Sequence, residues 1–117
     1  MFWRLPLEAA ESISIDLALR ALADANRRTI LHAIRLNPKS VGLVANELGL
    51  SQQTTSHHLR VLQKAGLATV TSDRTRHLYA INTDGLAAVR SYLDDFWPKR
   101  LADLKSAIEQ REGNGDG

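Results

Sequence analysis

Residues 41–67 read VGLVANELGLSQQTTSHHLRVLQKAGL, two stretches of helical periodicity divided by Gly49 and closed by Gly66. VGLVANEL follows Ser40, whose hydroxyl suits the free N–H groups of a first helical turn, and Gly49 can take the left-handed conformation that ends a helix. Ser51 repeats the cap, predicting a second helix from there to Ala65, where Gly66 stops it. Two helices joined by about three residues including a glycine have the sequence form of a helix-turn-helix, a form that many helical hairpins share. The next residues separate the two. LATVT and RHLYAI read as strands around a polar tip at Ser72 to Thr75. A helix-turn-helix at 40–65 followed at once by a hairpin at 67–81 is a winged-helix arrangement, mainly α with a small β-hairpin.

On the N-terminal side, Ile13, Leu17, Leu19 and Leu22 punctuate a helical pattern from Leu7 to Ala23. Asp24 then offers a cap for ANRRTILHAIRL, with Ile30, Leu31 and Ile34 on its buried face, and Asn37-Pro38 ends it. On the C-terminal side, Asn82-Thr83 opens a long pattern in which Leu86, Val89, Leu93, Phe96 or Trp97, Leu101, Leu104 and Ile108 recur mostly three and four apart. A stripe this narrow and this long is the form of a helix-to-helix seam. Pro98 interrupts it, either kinking one helix or occupying the first turn of another. The expected organisation is one domain over 1–112, with C-terminal helices in 84–111 and a disordered tail at 113–117.

The bulk composition fits this reading. A chain of 117 residues with 44% hydrophobic and 24% charged residues suits one soluble domain with one core. No run approaches the roughly 20 apolar residues of a membrane span. The opening MFWRLPLEAAES lacks the apolar centre of a secretory signal. With no cysteine, the chain has no disulfide, thiol redox centre or thiolate metal site, and a cytoplasmic location is expected. The net charge of +2 hides a segregation: residues 1–24 sum to −2, residues 25–80 to +6 and residues 81–117 to −2. A basic middle between acidic flanks points to a polyanion partner.

Turning residues 51–65 by about 100° per residue puts Thr55, Leu59 and Leu62 on one side, with His58 at its margin. Gln53, His57, Arg60 and Lys64 lie opposite, flanked by Thr54 and Ser56, with Gln52 at the helix start. Amides, hydroxyls and an imidazole suit base edges in a DNA major groove, whereas Arg60 and Lys64 suit phosphate. In the hairpin, Arg74 and Arg76 are two apart and would share one side of an extended strand, within reach of backbone or an adjacent minor groove. The expected partner is double-stranded DNA.

LADANRRTILHAI, the 41–67 stretch and the hairpin ending in LYAIN resemble the ArsR/SmtB family of bacterial winged-helix transcriptional regulators, over roughly residues 17–97. The resemblance implies a homodimer whose first and last helices form the interface, here through Leu17 and the C-terminal stripe. It also implies a near-palindromic operator and, usually, repression. YLDDFWPKRLADLKSAIEQ is similar to a branch in which a Phe-Trp pair leads into an extra C-terminal helix and the metal-binding motifs are generally lacking. Two positions depart from the family pattern. The wing tip reads SDRTR where a glycine is common, and Thr55 replaces an aliphatic residue, its hydroxyl free to bond back to the helix backbone.

No metal site or cofactor is expected. The family's thiolate site needs cysteines in the third helix. Its other site pairs Asp with His on the last helix, and Asp94 and Asp95 have no histidine after His77. His57 and His58 diverge by about 100° on a helix and do not share one ion easily, as an i, i+4 pair would. His32 is expected on helix 2 and His77 on a strand near the wing. No catalytic constellation appears, so no enzyme activity is expected. Arg27 and Arg28 are expected to pack their stems at the start of a helix with their heads in water. Two other functions fit the pattern: a winged-helix protein-interaction module, and a sensor holding a small-molecule effector at an aromatic dimer interface of Phe2, Trp3, Tyr92, Phe96 and Trp97.

Overall fold

The computed structural model describes residues 15–97 and 105–111. Helix α1 covers residues 15–22 of the described part, followed by α2 (Ala25–Ile34), β1 (Lys39–Ser40), α3 (Val41–Leu48) and α4 (Gln52–Lys64). Strands β2 (Ala68–Asp73) and β3 (Arg76–Ile81) and helix α5 (Thr83–Asp94) come next, and residues 105–111 form α6. The expected helix-turn-helix and hairpin are both present, in the expected order.

Short side chains set the helix starts, each satisfying an N–H that has no partner within its own helix. Asp24 accepts from Arg27 N at 3.2 Å, Ser40 from Leu43 N at 3.2 Å and Ser51 from Thr54 N at 3.0 Å. Gly49, at φ 69°, turns the chain between α3 and α4. Gly66, at φ 82°, closes α4, with its N–H on Gln63 O at 3.0 Å and that of Leu67 on Leu62 O at 2.9 Å. These two bonds use carbonyls that a helix end would otherwise leave open.

The sheet has three antiparallel strands in the order β1-β3-β2. Strand β1, where Lys39 pairs with Tyr79 and Ser40 with Leu78, was not expected: two residues carry no alternation to read. The hairpin is longer than expected. Its ladder runs from Ala68 opposite Ile81 to Asp73 opposite Arg76, so the tip is Arg74-Thr75 and not Ser72 to Thr75. Arg74 sits at φ 62°, the left-handed conformation that glycine would adopt without strain.

One buried cluster joins Ile30, Leu31 and Ile34 of α2, Val44 of α3, Leu59 and Leu62 of α4, Tyr79 of β3 and Val89 of α5. Helix α1 contributes Ala18 and Ala21, whereas Leu17 and Leu19 are each 36% exposed. Small residues let α1 lie close, with Leu22 against the core, whereas Leu17 and Leu19 face away. Thr55 is completely buried, and its hydroxyl donates to Ser51 O at 2.8 Å, the back-bond expected from the sequence.

The C-terminal stripe divides. Val89 is buried in the protomer core and Leu86 is half-buried against it. Leu93, Phe96 and Trp97 remain exposed, Trp97 at 64%. Helix α5 ends at Asp94, before Pro98. Residues 7–14, Pro98, Leu101, Leu104 and the 113–117 tail lie outside the described residues. Among the described residues no helix is long and apolar enough to cross a membrane.

Candidate nucleic-acid interface

The candidate reading face follows from how α4 is held. Thr55, His58, Leu59 and Leu62 are buried, which rolls the opposite side of the helix outward. Gln52, Gln53, Thr54, His57, Arg60 and Lys64 are exposed there, and Ser56 is half-buried. At about 1.5 Å per residue, Gln52 and Lys64 stand about 18 Å apart along the axis. The amides and His57 thus occupy the first half, and the cations the second.

Strand β1 brings the tip-proximal end of β3 to the start of α4. Ser40, Val41, Gly42, Gln52, Arg76 and His77 line a hollow of about 340 Å³. The structure therefore joins Gln52 to Arg76 and adds His77, which the sequence placed only near the wing. Nothing in the local sequence marks this meeting, because it depends on the pairing of β1 with β3.

The two wing arginines do not form one strand face. Arg74 lies in the turn, and Arg76 begins β3 with its Nη2 3.4 Å from Asp73 Oδ2. The adjacent Ser72 Oγ lies 3.5 Å from His77 Nδ1. Lys39 pairs with Glu47 at 2.8 Å. These two pairs occupy the only acids of the basic middle. Among the described residues, Arg28, Arg35, Arg60, Lys64 and Arg74 have no carboxylate partner.

Arg27 behaves differently from the expected wet-headed side chain. Its Nε donates to Ala21 O at 2.8 Å and its Nη2 to Arg20 O at 3.3 Å, capping the end of α1. Its Nη1 donates to His58 Nδ1 at 3.2 Å. Arg28 adds a bond to Leu22 O at 2.8 Å. His58 is only 8% exposed, and burial holds its pKa below the usual histidine value, helped by the charges of Arg27 and His57 and opposed by Asp24. The Arg27 N–H bond to the Asp24 carboxylate lowers that group's pKa.

His32 is exposed and accepts from Arg35 Nη1 at 3.3 Å. Among the described residues no three His, Asp or Glu side chains stand close enough to hold a metal ion.

Comparison with known proteins agrees with this geometry. The model of the bacterial regulatory proteins of the arsR family matches residues 24–70. The HTH-type transcriptional regulator Rv2034 of Mycobacterium tuberculosis is 38% identical over 96 residues, covering 82% of this chain and 90% of that protein. An ArsR-like transcriptional regulator from Rhodococcus sp. RHA1 superposes with a TM-score of 0.68 at 26% identity, over 80% of this chain and 92% of that one. A homodimeric winged helix-turn-helix DNA-binding domain from Mycobacterium bovis shares the fold, with a TM-score of 0.59 at 22% identity over 92% of this chain and 86% of that one.

Proposed function

The chain belongs to the ArsR family of bacterial regulatory proteins, and from that premise we propose that it is a homodimeric, sequence-specific repressor acting at a near-palindromic operator in double-stranded DNA. The observation that carries the proposal is the outward face of α4, where Gln53, Thr54 and His57 stand exposed beside Arg60 and Lys64. Gln53 can pair bidentately with adenine, and His57 can meet a base edge. Arg60, Lys64 and Arg74 suit phosphates, with Arg76 and His77 flanking a strand that enters the hollow beside Gln52. Dimerisation through Leu17, Leu93, Phe96 and Trp97, continued by Leu101, Leu104 and Ile108, would present two reading helices to successive major grooves. Such a protein acts in the cytoplasm as a single domain and needs no cofactor.

A gel-shift titration in increasing salt against the region upstream of its own gene tests the reading. Tighter binding there than to a scrambled duplex of equal length is the expected result. Equal binding to both, with the genome's other fragments giving no better, would count against it.

A second reading adds an effector. Leu22, Leu31, Ile81 and Leu86 line a hollow of about 290 Å³ edged by Arg28, His32 and Arg35, with none of Tyr92, Phe96 and Trp97 in its lining. An apolar floor with a cationic edge suits a small amphiphilic anion. Octanoate raising the melting temperature, with octylamine inactive, is the result that reading requires.

A further inference from the structure

The contact between Arg27 and His58 joins three parts of the molecule that the sequence separates. Arg27 lies in the first turn of α2, its Nε and Nη2 hold the last carbonyls of α1, and its Nη1 reaches the buried His58 at the middle of α4. His58 neighbours the exposed His57, the two rings 5.7 Å apart and tilted by 52°. Asp24, which caps α2, accepts from the backbone of the same arginine. The side of α4 that faces α2 is therefore fixed by a charged, directional contact as well as by the packing of Leu59 and Leu62.

We propose that Arg27 is a positioning residue for DNA reading, setting the angle of α4 by holding His58 and coupling that angle to the end of α1. The proposal rests on the reading that α4 faces DNA, and on the geometry of a single guanidinium. Arg27 is half-buried, its guanidinium engaged by Ala21 O, Arg20 O and His58. It acts through His58, and a small rotation of α4 would displace Gln53 and His57 from hydrogen-bonding register with base edges. Loss of Arg27 should therefore reduce discrimination between sequences more than it reduces general attraction to phosphate.

The contact also fixes a proton. A guanidinium has donors and no acceptor, so Nδ1 of His58 accepts and the ring proton sits on Nε2. A second proton on His58 would put one N–H against another across 3.2 Å and break the tie. The charged or titratable groups acting on His58 are Arg27 at the start of α2 and His57 on α4, which oppose a second proton, and Asp24 at the cap of α2, which favours it. The tie thus holds while His58 is neutral and opens in acid.

The test uses the purified full chain and two duplexes: the genomic fragment it binds most tightly and a scrambled duplex of the same length and composition. Arg27→Ala and His58→Ala are expected to lower the ratio of the two affinities about five- to tenfold, the net worth of one ordinary hydrogen bond. The slope of affinity against salt on the scrambled duplex should stay at the wild-type value. His58→Asn keeps an acceptor where Nδ1 stands and cannot titrate. It should retain the ratio at about pH 7.5 and keep it as the pH falls through the range in which wild-type His58 takes its second proton and the wild type loses it. Nitrogen NMR of the imidazoles should show His58 protonated on Nε2 alone in the free protein at the higher pH. An unchanged ratio in Arg27→Ala, whether or not the melting temperature falls, overturns the proposal. So does an acid loss in His58→Asn equal to that of the wild type. Should the wild type discriminate no sequence while the NMR shows the expected tautomer, the contact stands and DNA reading is what has failed, taking the positioning role with it.

Discussion

Asn82 Nδ2 donates to the carbonyl oxygen of Gly66 at 2.9 Å, joining the cap of α5 to the end of α4. The Asn82 backbone N–H donates to Leu67 O at 2.9 Å, and its Oδ1 accepts from Asp84 N at 3.2 Å, so one residue starts α5 and fastens it to the end of α4. Gly85 completes this joint, since a Cβ there would run into the Gly66 carbonyl. Gly85→Ala should therefore destabilise the fold by about 1–3 kcal/mol through overpacking against backbone that cannot yield. Asn82→Ala should cost about 1–2 kcal/mol through the lost cap and the uncovered carbonyl. Urea unfolding measures both, and a Gly85→Ala chain as stable as the wild type would mean that α5 is not seated there.

The two halves of the reading face should separate on DNA. Gln53→Ala and His57→Ala should each reduce discrimination by about 1–3 kcal/mol at the base pair they meet. Lys64→Ala should weaken all sequences alike and flatten the dependence of log affinity on log salt by about one unit. Salt titrations on specific and scrambled duplexes distinguish the two classes. A sequence-selective loss in Lys64→Ala would reverse the assignment.

Folding stability should fall in mild acid. Burial, with Arg27 and His57 nearby, holds the His58 pKa below its ordinary value, so between the two values the unfolded chain binds the proton and the folded chain does not. The contribution of His58 is fully present above about pH 6.5, the unfolded value, and is lost as pH falls through the folded one. His58→Asn should remove this part of the acid dependence. Unfolding curves collected from about pH 7.5 to about pH 5 check the sign, and stability rising toward acid would contradict it.

The exposed end of α5 should govern assembly. Tyr92 and Phe96 stack edge to face with ring centroids 5.3 Å apart, beside Leu93 and Trp97. Exposed apolar groups gathered in this way mark an association surface. Leu93→Glu and Phe96→Glu should each shift sedimentation from twice the 12.9 kDa chain mass toward the single chain, with a parallel loss of DNA affinity. Val89→Ala should instead lower the stability of the protomer, by about 0.5–2 kcal/mol for the lost side-chain packing. A monomeric wild type would favour a protein-interaction module.

These residues also show where reading a sequence stops. The caps at Asp24, Ser40, Ser51 and Asn82 and the turns at Gly49 and Gly66 were legible because each acts within a few residues of itself. The outward face of α4 was legible because burying Leu59 and Leu62 fixes its roll. Periodicity marked Leu86, Val89 and Leu93 as one apolar stripe, but it carries no sign of whether the covering surface belongs to the same chain. Arg27 was read as a packed stem because its partners, Ala21 on α1 and His58 on α4, meet it only through tertiary folding. The wing arginines were placed on one side by taking the backbone from Arg74 to Arg76 as extended, whereas Arg74 takes a left-handed conformation in a two-residue turn.

Selection of genomic DNA fragments by the purified chain, followed by footprinting of the bound sites, puts the regulatory reading at greatest risk. Two protected half-sites related by a two-fold axis and centred about one helical turn, or a whole multiple of it, apart are the expected result, with protection lost in Gln53→Ala. Fragments enriched no more than scrambled competitor, or protection without half-site symmetry, would contradict a homodimer that reads DNA through α4.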